Sequence, residues 1–134
     1  SYYVAVRHRN HLGVMSAAPF ALSVNTTSID FRSAGQTTFG TDARRVEGSR
    51  MVLWCGDVTF DRSAKYTGTG NDRDPILTAI GGSLPTNTLT GQYRQEDLNM
   101  DGVVKYTGAG NDRDLILLTI GGSVPTAVRA AQLP

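Results

Sequence analysis

Asp97, Asn99 and Asp101 stand at alternate positions and are followed at once by Gly102 and the apolar pair Val103-Val104. Oxygen-bearing side chains at positions 1, 3 and 5, Gly at 6 and an apolar residue at 8 form the opening of an EF-hand-type calcium loop. The chain curls so that alternate side chains converge on an ion. Gly102 supplies the φ > 0 bend, and the carbonyl of Val103 at position 7 faces inward. Calcium takes about six to eight hard oxygens, so the loop needs a late carboxylate. Gly108 holds the usual twelfth position and has none. Asp112 and Asp114 follow at the mouth of an expected helix, and an enlarged loop through Tyr106–Asn111 could bring either one round.

Shifting the chain by 40 residues lays Asp57–Thr86 onto Asp97–Thr126 with 19 of 30 positions identical and no gap. The chain therefore contains a tandem repeat. In the first copy Asp57, Thr59 and Asp61 take the early ligand positions, Ser63 supplies the inward carbonyl, and Asp72 and Asp74 are the late carboxylates. Arg62 replaces the glycine. A residue with a Cβ resists φ > 0, and Arg brings a positive charge beside the ion, so the first loop should be weak or empty.

Each loop needs an element to hold it. Pro75 follows Asp74, and proline is comfortable at the first helical position, where its missing N–H has no partner to lose. This predicts helices over Pro75–Ile80 and Leu115–Ile120 with Asp74 and Asp114 as N-caps. Gly81 and Gly121 stand where a left-handed C-cap is required. Helices this short cannot stand alone, so Ile76, Leu77 and Ile80 must pack against something. The same holds for Ile116, Leu117 and Ile120, and the other copy is the natural partner.

Residues 1–56 carry no convincing helical period. Ser1–His8, Leu12–Met15, Ala21–Val24, Ser28–Phe31, Thr37–Phe39 and Arg50–Trp54 are candidate strands bounded by turn residues. A strand opening at residue 1 suggests the end of a larger β domain and a chain that is the C-terminal part of a longer protein. The expectation is an α+β fold: a β-rich segment over 1–56, then tandem repeats over 57–134 with copies at 57–86 and 97–126.

The chain has 134 residues, enough for about one domain. Its net charge of +1 gives no case for nucleic acid, since basic residues gather only at Arg7–Arg9 and Arg44–Arg45. No apolar run approaches the length of a membrane span. The single cysteine, Cys55, excludes an internal disulfide and a Cys-based zinc cage and reads as a small core residue. His8 and His11 have no carboxylate or cysteine near them in sequence, which reads as a solvated edge or turn rather than a site. No Gly-x-Ser-x-Gly elbow and no phosphate loop is present, so no catalytic set is expected. Trp54 reads as a core plug joining the two segments, and Tyr66 and Tyr106 as packing residues.

The second half resembles the paired calcium-loop-and-helix repeats of type I dockerin modules. It is more closely similar to the tandem repeats that end many large exported proteins of Bacteroidetes-type bacteria. Gly56-Asp57-Val58, Lys65–Asp74, Asp97–Asp114 and Gln132-Leu133-Pro134 carry the likeness, and Tyr2–Met15 is similar to the β-rich stretch that precedes such repeats. The resemblance implies secretion or a cell-surface location and a calcium-loop architecture, with calcium as the cofactor; it implies no particular activity. The expected role is a non-catalytic structural or interaction module whose partner is another protein module or a surface glycan. Two alternatives remain: a carbohydrate-binding or adhesin domain stiffened by calcium, and an accessory fragment of a secreted hydrolase.

Overall fold

A computed structural model describes residues 1–134. The fold is α+β, built from four two-stranded antiparallel sheets and two short helices. The first hairpin joins β1 (Ala5–His8) to β2 (His11–Met15), and the second joins β3 (Arg44–Glu47) to β4 (Arg50–Leu53). Each repeat then contributes a loop strand, a helix and an exit strand. These are β5 (Ser63–Lys65), α1 (Arg73–Ala79) and β6 (Thr88–Thr90) in the first copy. The second copy gives β7 (Val103–Lys105), α2 (Asp112–Thr119) and β8 (Val128–Ala130).

The repeats exchange strands. The exit strand β6 pairs with the loop strand β7 of the second copy, and β8 returns to pair with β5 of the first. Thr67 and Thr107 repeat the exchange, each donating its hydroxyl to the carbonyl of the other copy's proline, Pro125 at 3.0 Å and Pro85 at 2.9 Å. Neither strand has a partner within its own copy, so the copies form one unit. Val58, Ile76, Ile80, Leu98, Val104 and Ile116 make its buried core, with Tyr66 and Tyr106 packed on its edge. The helices thus rest on each other's copy, as their apolar periodicity requires. Arg73 and Arg113 lie over the Tyr66 and Tyr106 rings at 5.3 and 5.1 Å.

The helix starts differ from the sequence expectation. Both begin earlier, and the capping oxygen comes from asparagine: Asn71 Oδ1 accepts from the Asp74 N–H and Asn111 Oδ1 from the Asp114 N–H, both at 2.9 Å. Asp74 and Asp114 therefore lie inside the first turn rather than at the cap. Asparagine and aspartate cap equally well, so residue type could not rank them. The glycine stops are as expected: Gly82 and Gly122 each donate to the Leu77 and Leu117 carbonyls at 2.8 Å, closing Schellman turns.

Residues 1–56 are less regular than expected. Ala21–Val24 and Ser28–Phe31 form no strand, and Thr37–Phe39 contributes only an isolated bridge from Thr38 to Ser16. Side chains replace the ladder there. The buried Arg44 guanidinium donates to the carbonyls of Phe31, Ser33 and Gln36 and so pins the irregular stretch. The segment is fastened to the repeats by Trp54, whose Nε1 donates to the Asp42 carbonyl while Arg129 of β8 lies 3.7 Å over its ring. Gln132 Oε1 accepts from the Asp42 N–H at 2.9 Å, and Leu133 lies against Gly13. Gly56 takes φ +112, a conformation an L side chain resists, and packs closely against the Ile116 backbone of α2.

The turn between β1 and β2 is buried rather than solvated. Asn10 has no exposed surface and donates from Nδ2 to the carbonyls of Gln95 (2.9 Å) and Asp97 (2.7 Å). Its own carbonyl accepts from the Gly56 and Asp57 N–H groups. His8 and His11 meet edge-to-face with centroids 4.6 Å apart. Asn10 Oδ1 can only accept, so the 2.7 Å contact puts the proton on His11 Nδ1. Burial, then the positive charges of its neighbours, push the His11 pKa down to about 4.

Candidate metal centre

Position 1 of the second loop, Asp97, is 4% exposed. Its Oδ2 accepts the Gly102 N–H at 3.0 Å, while Oδ1 is buried and has no hydrogen-bond partner. A buried carboxylate oxygen left bare costs free energy, about 1–3 kcal/mol or more for a charged group, unless a ligand takes it up. Asn99 Oδ1 accepts the Asp101 N–H and Asp101 Oδ1 the Val103 N–H, both at 2.9 Å, so the side chains at positions 3 and 5 set the curl of the chain. The bend uses two left-handed residues, Met100 at φ +61 and Gly102 at φ +84.

Of the two late carboxylates, Asp112 is the one turned to the loop. It is fully buried, with Oδ1 accepting from the Leu98 and Asn99 N–H groups (2.7 and 3.3 Å) and Oδ2 from Lys105 (2.8 Å). One side chain at the helix start thereby ties both ends of the loop together. Burial pushes its pKa up, the Lys105, Leu98 and Asn99 amides oppose this, and the nearby Asp97 charge adds to it. Asp114 is exposed and occupied with Asn111 Nδ2 at 2.8 Å and Arg113 at 2.9 Å.

The first loop has the same path but different bonding. Both oxygens of Asp57 are taken, Oδ1 by the Asp61 N–H at 2.9 Å and Oδ2 by the Arg62 N–H at 3.1 Å. Asp61 accepts from the Ser63 N–H (2.9 Å) and from Lys65 Nζ (3.2 Å), so an ammonium already neutralises it. Thr59 Oγ1 donates to Asp72 Oδ1 at 3.1 Å, and Asp72 also accepts the N–H groups of Thr59 and Lys65, as Asp112 does in the other copy. Arg62 does adopt the bend, at φ +72, and Phe60 precedes it at φ +59. Asp74 is exposed and held by Asn71 Nδ2 at 2.8 Å. Burial, then the Asp72 charge, push the Asp57 pKa up to about 6 against the pull of the Arg62 and Asp61 amides.

No three Asp, Glu, His or Cys side chains converge as a metal-holding group. A calcium loop also draws on amide, carbonyl and water oxygens. The donor chemistry of the second loop fits such an ion through the bare Asp97 oxygen beside Asn99, Asp101, the Val103 carbonyl and Asp112. The first loop fits less well: it has no bare oxygen, since amides take both oxygens of Asp57, and Lys65 pairs with Asp61. Sequence reading missed Asn10, whose type and neighbours signal only a turn, although it positions the first residue of each loop.

No protein-family model, curated protein or solved structure matches the chain. No helix is long and apolar enough to cross a membrane.

Proposed function

We propose that the protein is a calcium-binding, non-catalytic module in which the second loop takes up one ion. The reading is carried by Asp97, position 1 of an Asp-x-Asn-x-Asp-Gly loop, whose Oδ1 is buried without a partner while Oδ2 is fixed by the Gly102 amide. Asp97, Asn99, Asp101, the Val103 carbonyl and Asp112 would hold the ion. When bound, calcium supplies the positive charge that offsets the buried carboxylates of Asp97 and Asp112. The chain's own part is to keep that donor set in place: Asp112 staples the loop ends, and Asn10 fixes the Asp97 backbone. The dockerin-like resemblance supports placing the module in an exported bacterial protein, secreted or on the cell surface, where it serves attachment or interaction.

Calorimetric titration of chelator-stripped protein tests the reading. One saturable calcium site, lost on Asp97→Asn and kept on Asp57→Asn, is expected. An absence of saturable heat in the unmodified protein overturns it.

A further inference from the structure

A cleft of about 600 Å³ opens at the seam between the two hairpins and the second repeat. Val6, Phe31, Met51, Met100 and Leu115 give it a mainly apolar wall. An open, mainly apolar recess of this size falls in the range of small-molecule sites. The charges on its walls are unbalanced: Arg7, Arg32 and Arg45 face one carboxylate, Glu47. Arg45 is paired with Glu47, and Arg32 with Asp30. That leaves Arg7, on β1, as the lining cation without a carboxylate partner; it borders both this cleft and a smaller recess beside Asp57 and Arg62.

We infer that this cleft binds a small apolar molecule carrying one negative head group, such as a medium-chain carboxylate, with its body on the apolar wall and its head on Arg7. A strongly hydroxylated ligand would leave that wall unpaired, and a polyanion would find only one free cation. Guanidinium and carboxylate match in a two-bond fork, which gives the head group its orientation. The inference does not use the calcium reading, although Leu98, Asn99 and Met100 bring the second loop, with one proposed ion ligand, to the cleft wall.

The test uses the full chain and anilinonaphthalene sulfonate, a fluorescent apolar anion. Expected are one-to-one saturable binding and displacement by decanoate, with neither decanol nor butyrate displacing it at equal concentration. Arg7→Glu, at an exposed position, should weaken binding at least about tenfold, and added salt should weaken it in the unmodified protein. Val6→Trp should crowd the apolar wall and weaken binding. Both variants are checked for a cooperative melt, since a loosened core would also bind the dye. Absence of saturable binding, equal displacement by decanol, or unchanged affinity in a folded Arg7→Glu variant would each overturn the inference.

Discussion

The Asn10 side chain donates to the Asp97 carbonyl at 2.7 Å, and the Asn10 carbonyl accepts from the Asp57 N–H at 3.2 Å. One buried turn residue of the first hairpin therefore holds position 1 of both repeat loops. Asn10→Ala should cost about 2 kcal/mol or more, because the Gln95 and Asp97 carbonyls lose their donor. Asn10→Asp should cost more still, since it aims a carboxylate oxygen at those carbonyls. Denaturant melts check the order, and a neutral Asn10→Ala variant would refute the role.

Chelation should destabilise the fold. The carboxylates of Asp97 and Asp112 are buried together, so removing a bound cation restores their mutual repulsion. At calcium one hundred times the dissociation constant, linkage adds about 2.7 kcal/mol, which corresponds to roughly 10 °C in melting temperature for a chain of this size. Magnesium should substitute poorly because it sheds water reluctantly. Calorimetry of calcium-loaded protein with and without excess chelator reads the shift.

The loops should differ by at least about tenfold in calcium affinity, the second being the tighter. Asp101→Ala should abolish the tight site. Asp61→Ala should leave calcium binding nearly unchanged while losing the Ser63 N–H bond and the exposed Lys65 pair, the pair worth about 0.5 kcal/mol. Arg62→Gly removes about 1 kcal/mol or more of left-handed strain at φ +72. Combined with Thr59→Asn it should tighten calcium at the first loop without matching the second, because the Asp61 amide still fills an Asp57 oxygen and Lys65 still pairs with Asp61. Two equal tight sites in the unmodified protein would contradict this ranking.

Two buried groups make opposite contributions to the pH dependence of the metal-free protein. Asp57 is raised to about 6 in the folded state, so its contribution is full below the ordinary aspartate pKa and is lost as pH rises through 6. His11 is lowered to about 4, so its contribution is present above the ordinary histidine pKa and is lost as pH falls toward 4. Asp57→Asn should remove the first contribution: its stability relative to the unmodified protein should improve from about pH 4 to pH 6 and then level off. Urea melts across that range, in chelator, provide the comparison.

The repeat, its Asp-x-Asn-x-Asp-Gly loop, the glycine helix stops and the packing of copy on copy were all legible in the sequence. Each rests on local chemistry: a φ > 0 requirement, a short-range ligand spacing, or an apolar face too short to stand alone. The strands Thr88–Thr90 and Val128–Ala130 were not legible, because they exist only through pairing with the opposite copy's loop. Nor could the sequence choose between Asp112 and Asp114. They lie two residues apart on the same helix start, and only the path of the loop turns one under it and leaves the other in solvent. The asymmetry of the loops was half visible. Arg62 announced a strained bend, but the Lys65 ammonium on Asp61 and the bare oxygen on Asp97 are properties of side-chain placement. Asn10 was hidden altogether, since its bonds run to Gln95 and Asp97, 85 and 87 residues away. Such contacts follow from the closing of the whole chain on itself, and no local pattern encodes them.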